Sequence, residues 1–337
     1  MAHQKLQGRL ASWAFGDYAV AAAQNGRLMA MAFGDGTVRL FDSETPEAAP
    51  TVVKAHKGAS LSLAADIDKG GFLSGGDDGK LVKIAAIGTA ETLWESKGKW
   101  IEHVTAHAGA GVRVFAVGKS ATILNKKNEP RELAHTSSVG GLAINPKGKR
   151  LAVSHYNGVS LWWLGSAAAP SVLEWRGSHL QVVWSPDGDY LLTAMQENAL
   201  HGWRLSDGEH MRMTGYPGKV RNIAFTRKGH FLATTGSDSV ICWPFSGNGP
   251  MGKPPVEFGS ASEGSLVSFV AANPKLDIVA AGFEDGSVLV GQAGSANTIG
   301  IIDASGSPVT CLAWNPDGDR LLVGNEAGAV HLADFRG

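Results

Sequence analysis

Val182-Val183-Trp184-Ser185-Pro186-Asp187-Gly188-Asp189-Tyr190-Leu191-Leu192 reads as an apolar run, a Pro-Asp-Gly turn and a second apolar run. The same order returns at Leu312-Ala313-Trp314-Asn315-Pro316-Asp317-Gly318-Asp319-Arg320-Leu321-Leu322. Weaker copies stand at Leu142-Ala143-Ile144-Asn145-Pro146-Lys147-Gly148-Lys149-Arg150-Leu151 and at Ile223-Ala224-Phe225-Thr226-Arg227-Lys228-Gly229-His230-Phe231-Leu232. Val270-Ala271-Ala272-Asn273-Pro274-Lys275 is a decayed fifth. Each reads as a β-hairpin: Pro presets φ, Asp bonds the local backbone, and Gly supplies the positive φ of the turn.

A third strand follows each hairpin after a glycine turn, as in Gly36-Thr37-Val38-Arg39-Leu40-Phe41, Gly79-Lys80-Leu81-Val82-Lys83-Ile84 and Gly286-Ser287-Val288-Leu289-Val290. A fourth run precedes the next hairpin, as in Thr92-Leu93-Trp94 and Val172-Leu173-Glu174-Trp175. The third strands end near Leu40, Ile84, Leu124, Trp162, Trp203, Trp243, Val290 and Leu332, with gaps of 44, 40, 38, 41, 40, 47 and 42 residues. Four strands in each ~40–45 residues are the pattern of a propeller blade. The expectation is an all-β chain, residues 1–337 forming one propeller domain, with eight blades favoured. Seven is the alternative if the weakest unit, residues 100–133, is misread. The last unit stops after its third strand, and a spare run, Arg9-Leu10-Ala11-Ser12-Trp13, precedes the first. That run is expected to supply the missing fourth strand and close the ring, leaving no exposed sheet edge there.

Composition agrees with many tight turns around a large core: 44 of 337 residues are Gly, and 44% are apolar. Lys+Arg is 30 and Asp+Glu 31, so a net charge of −1 excludes the broad basic field of an electrostatic nucleic-acid binder. Two cysteines, Cys242 and Cys311, make neither a disulfide scaffold nor a zinc knuckle. The N-terminal nine residues show no signal-peptide run, and no segment reaches 18 apolar residues. The expected setting is soluble, reducing and cytoplasmic, without a membrane partner.

The Pro-Asp-Gly hairpins, the Gly-x-Val-x-Leu-Trp strands and the period together resemble the WD-repeat family of β-propellers, as a divergent, bacterial-type member. The resemblance runs over residues 9–335. The Trp-Asp dipeptide of that family is eroded: Phe41-Asp42 is nearest, while Trp203-Arg204 and Trp243-Pro244 lack the acid. The resemblance implies a structural tetrad of His, Ser/Thr, Asp and Trp. His56, Ser74 and Asp78 match it in the second unit, where Ile84 replaces Trp; His135, Ser154 and Trp162 match it in the fourth, where Asn157 replaces Asp. Asp78 to Ile84 and Glu91 to Trp94 also resemble a quinoprotein-type propeller repeat, but only that unit fits it. An assembly-factor role of that kind needs an export signal.

Chemistry is sparse. His103 and His107 are spaced by four, but in a strand or loop and without the Glu of a His-Glu-x-x-His zinc site. No Gly-x-Ser-x-Gly elbow or phosphate loop appears. Acid pairs such as Asp77/Asp78 and Glu284/Asp285 sit in hairpin turns. No catalytic, metal or cofactor residue is nominated. Eight of the ten tryptophans recur at blade positions, as packing between sheets requires; Trp100 and Trp163 fall off register and are surface candidates.

Function then falls to loops on a rigid scaffold. The turns between second and third strands share a face with those between fourth and first strands. There the candidate partner-binding residues are His56, Asp78, His155, Tyr156, Glu197, Tyr216, Phe283 and Asp285. Aromatic anchors ringed by acids suit a protein or peptide partner, a basic one included. The opposite face carries a Gly/Pro-rich insert, residues 245–255, read as flexible ornament. The leading expectation is a non-enzymatic, monomeric interaction scaffold. The alternative is a ligand- or metal-binding propeller with hydrolytic activity in its channel.

Overall fold

The computed structural model describes residues 9–336 and the backbone of residues 4–5. The leading segment read for a signal run therefore lies largely outside the described residues. Every regular element described is a β-strand, and no helix is long and apolar enough to cross a membrane.

Chain neighbours pair antiparallel into radiating sheets. The first comprises Ala19–Asn25, Leu28–Phe33, Thr37–Asp42 and Thr51–Lys54. The second is Ser60–Ala65, Phe72–Gly76, Lys80–Ile84 and Ala90–Glu95. The third repeat, faint in sequence, forms its own sheet of His103–His107, Val112–Val117, Ser120–Leu124 and Pro130–Ala134. The first strand of each repeat touches the first strand of the next. The last, Val309–Trp314, touches both Val267–Ala272 and Ala19–Asn25. This is an all-β propeller.

The expectation of eight blades is corrected. The described strands form seven hydrogen-bonded sheets, five of them four-stranded. The difference lies at the fourth and fifth repeats, which merge into one six-stranded sheet through a continuous strand, Ser171–Trp184. Residues 171–174 pair with the fourth repeat, and residues 179–184 with Tyr190–Met195 of the fifth. No Pro, Asp or Asn interrupts that stretch; Gly177, at φ 131°, lets it bend without breaking.

The N-terminal strand Arg9–Ala14 pairs antiparallel with Ala329–Asp334, from Arg9 opposite Asp334 to Ala14 opposite Ala329. Met29, Met31 and Phe33 of the first repeat share a core with Cys311, Leu322 and Leu332 of the last. Inner-strand hydroxyls add polar ties between neighbours: Ser62 donates to the Ile101 carbonyl (3.2 Å), Ser268 to Val309 (2.7 Å) and Thr310 to Ala19 (2.6 Å). Farther out, a buried ion pair clamps the second repeat to the third. Arg113 Nε and Nη2 donate to Asp66 Oδ1 and Oδ2 at 2.6 and 2.9 Å.

The insert at 245–255 is more than ornament at its start. Phe245 is buried edge-on to Tyr190 and Phe225, and Tyr190 Oη donates to the Gly247 carbonyl at 3.2 Å. Both cysteines are buried, and burial pushes each thiol up to about 12, so neither carries reactive thiolate.

Candidate functional site

Under the predicted loop face, buried polar networks fix the loops to the strands. In the second repeat His56 Nδ1 lies 3.0 Å from Asp78 Oδ1, and Nε2 lies 3.0 Å from Ser74 Oγ. The first three tetrad positions therefore meet, although Ile84 makes no polar contribution. Burial lowers the His56 pKa, with Asp78 opposing it. Burial alone would raise Asp78; bonds from the Lys57 and Lys80 N–H groups and the His56 ring bring it below the ordinary carboxylate range.

The fourth repeat departs from the tetrad. Trp162 Nε1 donates to His135 Nε2 at 3.2 Å, but the Ser154 hydroxyl faces the Gly141 and Leu180 carbonyls instead. His155 takes over: its Nδ1 bonds the Tyr156 carbonyl (2.9 Å), so that nitrogen carries the proton, and Nε2 accepts from Ser160 Oγ (2.9 Å). In the sixth repeat a tyrosine replaces the histidine. Trp243 Nε1 donates to Tyr216 Oη (2.7 Å), Tyr216 Oη lies 2.8 Å from Thr234 Oγ1, and Thr234 donates to the Ile241 carbonyl (3.1 Å).

The eight nominated residues consequently separate. Tyr216 is 9% exposed, and burial pushes its hydroxyl up to about 12; it is a structural member of that relay. Phe283 is 0% exposed, held in the core with Val240, Val267 and Leu289. Neither side chain is available to a partner: Phe283 ends a strand and Tyr216 lies in the loop before one, and both are packed into cores between sheets. His56 and His155 are buried positioning residues, and Asp78 holds His56. Asp285 is tied into its turn by Ser262 Oγ (2.5 Å) and Ser287 Oγ (2.6 Å). Tyr156, 53% exposed, and the exposed Glu197 remain open on the surface. Trp100 and Trp163, off register in sequence, are 60% and 45% exposed.

Tyr156 borders a cleft of about 930 Å³ between the end of the third repeat and the outer strands of the fourth. One wall is 134–137 with His135; the other is Ser160, Trp162, Pro170, Val172 and Glu174. His155, Asn157, Trp175 and Arg176 complete the lining. A second cleft, about 270 Å³, lies beyond the same outer strand and is lined by Trp175, Arg176, Met195, Glu197 and Arg212. Two of the nominated residues, His155 and Tyr156, thus meet at the first cleft, and Glu197 lines the second. His56, Asp78, Tyr216, Phe283 and Asp285 line neither. Among the described residues no group of three or more His, Cys, Asp or Glu stands close enough to hold a metal ion.

Residues 270–336 match the family described as the anaphase-promoting complex subunit 4 WD40 domain. Over 316 residues the chain is 23% identical to autophagy-related protein 16 of Arabidopsis thaliana, covering 88% of this chain and 60% of that relative. Over 171 residues it is 26% identical to eukaryotic translation initiation factor 3 subunit I of Candida albicans, covering 46% of this chain and 48% of the relative. The family match, these relatives and the radiating four-stranded sheets together support a WD-repeat β-propeller. These matches span only 60% and 48% of the relatives' own lengths. In fold alone, the chain superposes on the crystal structure of the computationally designed Ika8 protein with a TM-score of 0.77. That likeness covers 98% of both chains at 16% identity.

Several features of this propeller were not read from its sequence. Val172, Glu174 and Arg176 line the larger cleft, and the available signal was the period-2 spacing on a fourth strand that carries an exposed Val. In the first repeat, Arg39 is buried between Phe15 and Phe33, its guanidinium carbon 3.8 and 4.3 Å from the two ring centres. Asp35 lies 3.6 Å from that guanidinium. Nothing local in Thr37-Val38-Arg39-Leu40-Phe41 announces a buried cation.

Proposed function

We propose that this propeller is a non-enzymatic, monomeric cytoplasmic scaffold that docks a protein or peptide partner on the face bearing Tyr156. The supporting observation is the large cleft beside that half-exposed tyrosine, built on side chains whose positions are fixed by buried hydrogen bonds. A half-exposed aromatic beside charged rim residues is the composition of an interface anchor. Tyr156 and Glu197 contact the partner in this reading; His155 positions the Tyr156 turn, and His56 and Asp78 stiffen the same face two repeats away. Two names among the comparisons, an anaphase-promoting complex subunit and an initiation factor subunit, describe components of larger assemblies, which favours the same role here. The near-zero net charge gives no general attraction to nucleic acid.

The test is co-purification at native expression level with wild type and with Tyr156→Ala plus Glu197→Ala. Both side chains are exposed, so the melting temperature is expected to stay within about 2 °C, as for surface changes of ~0.5 kcal/mol. Loss of the wild-type partner is the expected result. Identical partners from both proteins would remove this face from consideration.

A further inference from the structure

The outer strand of the fourth repeat is a sheet edge. On its inner side Ser171, Val172, Leu173 and Glu174 pair with Leu161, Ser160, Val159 and Gly158. Among the described residues no strand pairs with the outer side of residues 171–174; the same strand joins the fifth repeat only from His179 onward. An unpaired edge presents a row of free N–H and C=O groups. Two clefts flank this one. Val172, 49% exposed, and the exposed Glu174 line the larger; Leu173 packs towards the fifth repeat, where Trp175 stacks on His201 at 3.9 Å, and Trp175 and Arg176 border both clefts.

A strand sends successive side chains to opposite faces, so a segment added here would fill the two clefts alternately. We propose that the outer edge of the fourth repeat takes an extended partner peptide by strand addition, its alternate side chains seated in the clefts on either side. This deepens the scaffold reading and rests on it. The same propeller shows the mode elsewhere. The backbone of Gln4–Lys5 pairs in parallel with Ile299 and Gly300 on the outer strand Thr298–Ile302 of the seventh repeat.

Facing residues set the chemistry of the partner. Val172 and Pro170 call for a bulky apolar side chain in the larger cleft. Glu174 and Arg176 follow at intervals of two on that face, so a cation and then an acid complete the same side of the peptide. Across the edge, Met195 between Glu197 and Arg212 takes a smaller apolar group. The occupant is thus an extended peptide reading apolar, any, Lys/Arg, any, Asp/Glu along the strand direction.

The probe is a displayed library of random peptides selected on the full chain. Synthetic copies of the selected peptides are then measured by fluorescence anisotropy and by amide hydrogen exchange. Protection of amides in residues 171–176 is expected, with binding at least about tenfold weaker for Val172→Lys. Glu174→Lys should weaken binding similarly and recover when the peptide's cation is exchanged for an acid. Both positions are exposed, and thermal melts verify that the variants fold. Peptides that protect amides elsewhere would overturn the edge proposal while leaving the scaffold reading standing. A selection that enriches nothing would likewise overturn the edge proposal, while the scaffold reading falls only if the co-purification above fails.

Discussion

At the residue scale, one side chain per hairpin does most of the turn-making. Asn145 Oδ1 accepts from the N–H of Lys149 and Arg150, and Asn315 Oδ1 from those of Asp319 and Arg320. Ser185 Oγ accepts from Tyr190 N–H, and Thr226 Oγ1 from Phe231 N–H. These bonds are local, which is why the turns are readable in the chain. Trp184 and Trp314, one residue earlier, donate their indole N–H to the carbonyls of Ala143 and Ala271 on the preceding repeat, both at 3.0 Å. Their recurrence in sequence marks packing between repeats, as expected. Tyr216, Phe283 and Arg39 were opaque because a distant neighbouring strand, not the flanking residues, decides whether each is covered. The Asp66–Arg113 clamp is equally non-local, 47 residues apart in sequence and fully buried. Arg113→Ala leaves a buried carboxylate unpaired and is expected to cost about 3–5 kcal/mol. Asp66→Leu combined with Arg113→Met should recover much of that loss. Urea unfolding of the single and double variants checks this, and equal losses in both would contradict the account.

Strands and their order were legible as elements, because period-2 apolar runs and glycine turns are chain-local signals. Their partition into sheets was less so. Residues 150–163 and 171–184 each run through a place where a break between strands was anticipated, since only Asn157, Gly158 and Gly177 mark those places. The N-terminal strand carries weight out of proportion to its length. It supplies six residue pairs to Ala329–Asp334, sets Trp13 5.1 Å from Phe41, and is followed by Phe15, edge-on to Phe33 at 5.6 Å. Deleting residues 1–15 removes all of these and uncovers Arg39. The expected cost is about 5 kcal/mol, or a fall of ~10 °C or more in melting temperature. An unchanged thermal transition would argue that the strand is dispensable.

Over the whole molecule, the ring arrangement buries histidines in every quarter. Burial lowers the pKa of His56, His103, His135, His179 and His331, and takes His201 down to about 3, with neighbouring His210 adding to the shift. Each takes up its proton at lower pH in the fold than in the unfolded chain, where the ordinary value is near 6.5. Above that pH neither state is charged and the groups are silent. Below it the unfolded chain takes up protons that the native chain refuses, so stability falls with pH towards the folded values. Melting temperature is expected to be level from pH 8 to about 7 and to drop steadily from about 6.5 to 5; a flat profile to pH 5 would contradict these burials.

At the same scale the two ends of the propeller differ. One carries Tyr156 and its cleft; the other carries hairpin turns such as the one bearing Leu276, 56% exposed. The most direct measurement places a photo-crosslinking amino acid at position 156 in one protein and at position 276 in another, and irradiates the native host. The account predicts a specific protein adduct from position 156 and none from position 276. Adducts of equal yield from both, or from position 276 alone, would contradict it.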